Sequence, residues 1–105
     1  MRKLRWRPRA HLDRESIALY LGMECGSPQA ALDAIRKIDT AIERVVAFPD
    51  LGGITRSPGQ AGREYRTALA SPYTIYYRFD ATAVTIYRIL HQRQDIDTYT
   101  FIDFE

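Results

Sequence analysis

The sequence predicts an α+β domain: an N-terminal strand, then an antiparallel helical hairpin packed on a mainly antiparallel sheet of three further strands. Three observations carry that expectation. Strand-like runs fill residues 63 to 95, and within one of them Tyr73, Ile75, Tyr77 and Phe79 alternate with Thr74, Tyr76, Arg78 and Asp80, the period of two of a half-buried strand. Ala31, Ala34, Ile35, Ile38, Ala41, Ile42 and Val45 keep the i, i+3, i+4, i+7 series of an amphipathic helix for four turns. At 105 residues the chain fills one domain, 1–105, with one core.

In chain order, residues 2 to 8 place Leu4 and Trp6 on one side and Lys3, Arg5 and Arg7 on the other, until Pro8 interrupts pairing; this reads as an edge strand with a basic outer face. From Ala10 the period turns helical, with a short stripe of Ile17, Tyr20, Leu21 and Glu24, ending near Gly22 and Gly26. Ser27 followed by Pro28 marks the N-cap of the second helix, and Phe48-Pro49 its end. Residues 49 to 62 hold two prolines and four glycines around Arg56, and read as a connecting loop. In the last sheet run Val84, Ile86, Arg88 and Leu90 share one face and Thr85, Tyr87, Ile89 and His91 the other. Both faces are semi-apolar, so the sheet needs helices on one side and a tail or partner on the other. Ile96 to Glu105 alternates and reads as a last strand or a packed tail.

Composition narrows the function classes. A 46% hydrophobic and 27% charged chain is globular, and no apolar run reaches the length of a bilayer span, so no membrane role is expected. The start carries basic residues without an apolar core or cleavage pattern, so no secretory signal is read. Cys25 is the one cysteine, which excludes an intrachain disulfide and points to a reducing, cytoplasmic location. Two histidines and one thiol without ligand spacing predict no metal, and no motif predicts a cofactor. The net charge of +2 conceals five basic residues among the first nine and four acidic ones among the last eleven. All the basic residues except Lys3 and Lys37 are Arg, whose planar fork suits phosphate and carboxylate partners.

Trp6-Arg7-Pro8-Arg9-Ala10 entering the first helix, Phe48-Pro49 closing the second, Gly62-Arg63, Tyr73-Thr74-Ile75-Tyr76-Tyr77-Arg78 and Ile86-Tyr87-Arg88-Ile89-Leu90-His91 recur in that order over nearly the whole chain. In this arrangement the chain resembles the RelE/ParE toxin superfamily, most of all its ParE, or plasmid-stabilisation, branch. The resemblance implies a bacterial toxin in a hetero-oligomer with a cognate antitoxin, whose C-terminal segment wraps it. It implies one of two targets, DNA gyrase in the ParE branch or the ribosome in the RelE branch, where messenger RNA is cut without a metal. A relative that has lost toxicity and serves as an interaction module is a third outcome.

RNA cleavage needs a base for the 2′-hydroxyl, donors for the phosphorane and an acid for the leaving oxygen. Arg63, Arg66, Arg78 and Arg88 offer donors, His91 an acid or base, and Glu64 a further base. The lysines common in RelE-like clusters are missing from the loop and sheet, and His91 is followed by Gln-Arg-Gln-Asp rather than by the Tyr of some family nucleases. The expectation is therefore binding to gyrase without catalysis, with Arg63, Arg78, Arg88, His91 and Arg93 as the target-binding residues; for a nuclease the catalytic set is Arg63, Arg78, Arg88 and His91.

Overall fold

The computed structural model describes residues 1–56, 63–94 and 100–101. The order is β1 (Lys3–Trp6), α1 (Pro8–Leu19), a π-helical turn (Tyr20–Glu24), α2 (Pro28–Ala47), a short 3-10 turn (Pro49–Leu51), β2 (Gly53–Arg56), β3 (Glu64–Ala70), β4 (Tyr73–Phe79) and β5 (Ala83–His91). The strands form one sheet in the order β1-β5-β4-β3-β2. All neighbours are antiparallel except β1 and β5, which run parallel. The predicted class holds, with β1 at an edge as its basic outer face suggests.

Two sequence expectations are corrected. Part of the 49-to-62 loop is structured, because Gly53–Arg56 pairs with Glu64–Thr67 and adds a fourth strand beyond β1; the remainder, from residue 57 to 62, lies outside the described residues. The second correction concerns β5. Tyr76 opposes Arg88 while Tyr77 opposes Ile86, so Tyr87 is an extra residue in a bulge. Before the bulge Val84 and Ile86 face the helices; after it Ile89 does, and Leu90 turns to the other side. Alternation alone places Arg88 and Leu90 with Val84, and the inserted residue overrules it.

The main core lies between the helices and one sheet face, where Ile38, Ala41, Ile42 and Val45 of α2 and Ala10 of α1 meet Tyr73, Ile75, Tyr77, Val84, Ile86 and Ile89. Burying each of the larger side chains there contributes about 1.5–3 kcal/mol. The hairpin follows from its caps. Ser27 Oγ accepts from the Ala30 amide at 3.1 Å, Pro28 opens α2, and Gly26 just before them takes φ +64°, a conformation that a side chain disfavours. In α1, Ile17 packs on the core as its stripe predicts, but the π-helical turn leaves Tyr20 55% exposed. The buried Tyr77 hydroxyl donates to the Pro49 carbonyl at 2.6 Å and accepts from the Gly52 amide at 3.2 Å, which fixes the turn into β2. A Cβ at Gly52 would lie 2.6 Å from the Thr67 carbonyl oxygen, so that position admits only glycine without a backbone shift.

Candidate functional site: the outer face of the sheet

The face turned away from the helices carries Arg78 and Arg88 together with Tyr65, Tyr76 and Tyr87. It divides into two ends along β5. At the carboxyl end β1 has stopped, because Pro8 has no amide to continue the ladder, and the Arg7 amide makes a last bond to the Ile86 carbonyl at 2.9 Å. Helix α1 takes over the edge there. One Asp13 carboxylate oxygen accepts from the Ile89 amide at 2.9 Å, and the carboxylate receives Arg88 through Nε at 2.7 Å and a second guanidinium nitrogen at 2.9 Å. The third guanidinium nitrogen donates to the Thr100 carbonyl. Arg88 is only 8% exposed, and this pairing explains how a charge is held there.

Beside it, Phe101 stacks on Tyr65 at 4.3 Å and meets Tyr76 edge-on at 5.2 Å, while Tyr65 meets Tyr87 at 5.1 Å. Tyr65, Tyr76, Leu90 and Phe101 form a second small core. Thr100 and Phe101 therefore supply the cover that the second face requires; the rest of the 96-to-105 tail lies outside the described residues. The Tyr65 hydroxyl is buried without a hydrogen bond of good geometry. Burial pushes its pKa up, and the nearby Arg63 offsets part of that rise.

At the hairpin end the arginines stay exposed. Arg78 donates through Nε to the Glu64 carbonyl at 3.2 Å, and its guanidinium lies 5.9 Å from the Tyr65 ring centre. Arg63 is exposed at the start of β3. Register places Arg5, Thr85 and Arg78 in one row across β1, β5 and β4. Lys3 lies on the same side of β1, two residues from Arg5, and Arg7 lies 5.8 Å from the Tyr87 ring. The sequence suggested a basic face on β1, but the row with Thr85 and Arg78 depends on a parallel pairing that no local pattern encodes. Asp13, which anchors Arg88, was likewise missed, since an acid early in a helix carries no signal of a distant partner.

The structure separates the candidate residues. Arg63 and Arg78 lie at the hairpin end, Arg88 is buried midway, and His91 and Arg93 stand at the far end, about 20 Å of strand from Thr85. His91 opposes Tyr73, its ring edge-on at 5.7 Å, and its Nδ1 accepts from the Arg93 amide at 3.1 Å. Arg93 is exposed. Arg66 turns to the helix side, donating to the Asp50 and Gly52 carbonyls at 3.1 and 2.9 Å, with Phe79 5.4 Å away. The five candidates do not form one cluster. No described helix is long and apolar enough to cross a membrane.

Residues 4–96 match the family model described as the ParE toxin of the type II toxin-antitoxin system parDE. The chain belongs to the ParE toxin family. Within it, the chain is 33% identical over 64 residues to Toxin ParE1 of Mycobacterium tuberculosis, found alike in two strains. That alignment spans 60% of this chain and 62% of the relative's length. The chain is also similar to a solved structure described as the chromosomal ParDE TA system from P. aeruginosa, with a TM-score of 0.65 and 22% identity over 87% of this chain and 96% of that one. At that identity the likeness establishes a common ParE-type fold.

Proposed function

We propose that this ParE-family chain is the toxin of a type II pair, acting on DNA gyrase by protein binding in the cytoplasm and silenced by a cognate antitoxin in a hetero-oligomer. One observation supports binding over RNA cleavage: the exposed arginines of the hairpin end stand apart from His91, while Arg88 is occupied by Asp13 and Thr100. A cleavage site needs donors and an acid–base group around one phosphate, and here they are spread along the sheet. Arg63, Arg78, His91 and Arg93 are the proposed contacts to the target, and Arg88 acts indirectly by holding Thr100. The antitoxin contribution is an acidic amphipathic segment that complements the arginine surplus.

Purified chain is expected to block gyrase supercoiling or trap cleaved DNA, and to lose that effect when antitoxin is added. Unaffected gyrase at micromolar toxin rejects the target. Ribosome-dependent cutting of messenger RNA in a purified translation mix would replace it with the nuclease reading, and normal growth on expression without antitoxin would mark an inactive family member.

A further inference from the structure

We infer that the hairpin end of the outer sheet face is a phosphodiester-binding site, a second binding function beyond the gyrase reading that shares Arg78 with it and is tested without gyrase. Arg5 and Arg78 flank Thr85 from the two adjacent strands, a strand spacing of about 4.8 Å on either side, so two arginines and one threonine leave the same side of the sheet in one row. Both arginines are exposed, and Thr85 on the strand between them is half-buried. Arg78 donates to the Glu64 carbonyl through Nε, and an exposed guanidinium of this kind has the terminal amino groups of the fork that grips phosphate.

The adjoining cleft, lined by Arg78, Phe79, Asp80, Ala83, Thr85 and Tyr87, measures about 140 Å³. That is well below the roughly 300–1,000 Å³ of a small-molecule pocket, and suits one phosphate of a chain lying across the surface. Lys3 and Arg5 continue the charge along β1 with a step of about 7 Å between side chains on one face, a rail for successive phosphates. The carboxylate in this cleft belongs to Asp80. It is turned into the hairpin, accepting from the Thr82 amide at 2.8 Å, the Thr82 hydroxyl at 2.9 Å and the Ala83 amide at 2.9 Å. An acidic protein segment would satisfy the same charges, but the narrow cleft and the Thr hydroxyl between two forks favour a tetrahedral phosphate over a chain of carboxylates. With His91 at the other end of β5, the site binds a strand without cutting it.

The test is fluorescence anisotropy of labelled single-stranded and duplex oligonucleotides with the purified chain, in the absence of gyrase, from about 50 to 200 mM salt. Wild-type chain is expected to bind with steep salt dependence. In the Arg5→Ala/Arg78→Ala double variant the slope of log K against log salt becomes shallower by about 1.8 on duplex or about 1.4 on a single strand, and the tighter of the two wild-type complexes identifies the source of phosphate. Thr85→Val is expected to weaken binding with the slope retained, and Arg36→Ala, on α2 across the sheet, to change nothing. Thermal unfolding of each variant checks the fold, and Arg78→Lys, which keeps the charge and loses the fork, supplies a second reading. Absence of binding at low salt, a double variant that binds like wild type, or displacement by polyglutamate as effective as by polynucleotide would overturn the inference, and each leaves the gyrase assay to stand or fall by itself.

Discussion

Arg78 and Arg88 lie on the same side of neighbouring strands, yet one is exposed at the hairpin end and the other is 8% exposed at the carboxyl end. The difference lies in what borders β5. At the hairpin end β1 occupies the edge and brings its own cations, so charge accumulates and stays hydrated. At the carboxyl end β1 is gone, α1 presents Asp13 to the open edge, and Thr100–Phe101 lies over the face. Identical side chains become a surface and a lock according to their neighbours, so a count of arginines on a sheet is a poor measure of its binding capacity.

The largest expected effect breaks the lock. Asp13→Ala leaves the Arg88 guanidinium buried with half its partners and frees the Ile89 amide, which is expected to cost about 3–5 kcal/mol in denaturant unfolding; a loss below that range would mean that Arg88 swings out to water. Phe101→Ala removes the ring over Tyr65 and Tyr76 and is expected to cost about 3 kcal/mol in the same unfolding measurement.

At the hairpin end the effects are smaller. Hydrogen bonds from Thr82 and Ala83 hold the Asp80 carboxyl below its ordinary value of 3.8. A lowered folded pKa contributes stability that is present above the unfolded value and is lost as pH falls through the folded one. The stability gap between wild type and Asp80→Asn is therefore expected to close in acid, below about pH 3.8, in unfolding curves taken pH by pH. Arg78→Ala, which removes an exposed side chain, is expected to change stability by less than about 0.5 kcal/mol. A larger loss would erase the contrast between the two ends.

Much of the fold was legible because it is written in local periods. The helical stripe of Ile38, Ala41, Ile42 and Val45, the Ser27-Pro28 cap and the alternation from Tyr73 to Phe79 each state their structure within a few residues. Strand β2 was hidden by Gly52 and Gly53 at its start and by its shortness, since Gly53–Arg56 is a strand only through its pairing with β3. The candidate site was legible in composition and not in arrangement. Arg63, Arg78 and Arg93 are exposed, but their distances follow from strand order, and the burial of Arg88 follows from Asp13, 75 residues earlier. Long-range pairing of that kind leaves no imprint on sequence spacing.

The extra residue at Tyr87 works as a phase shifter for the strand that contains it. Upstream of it, even-numbered positions point toward the helices; downstream, odd-numbered ones do. Pairing the strand regularly with every residue kept would exchange the roles of Ile89 and Leu90 and carry Arg88 to the wrong side of the sheet from Thr100, whereas deleting Tyr87 would leave all three facing as they do. That irregularity thus sets the one arginine of β5 on the side where Thr100 receives it and the fold is closed.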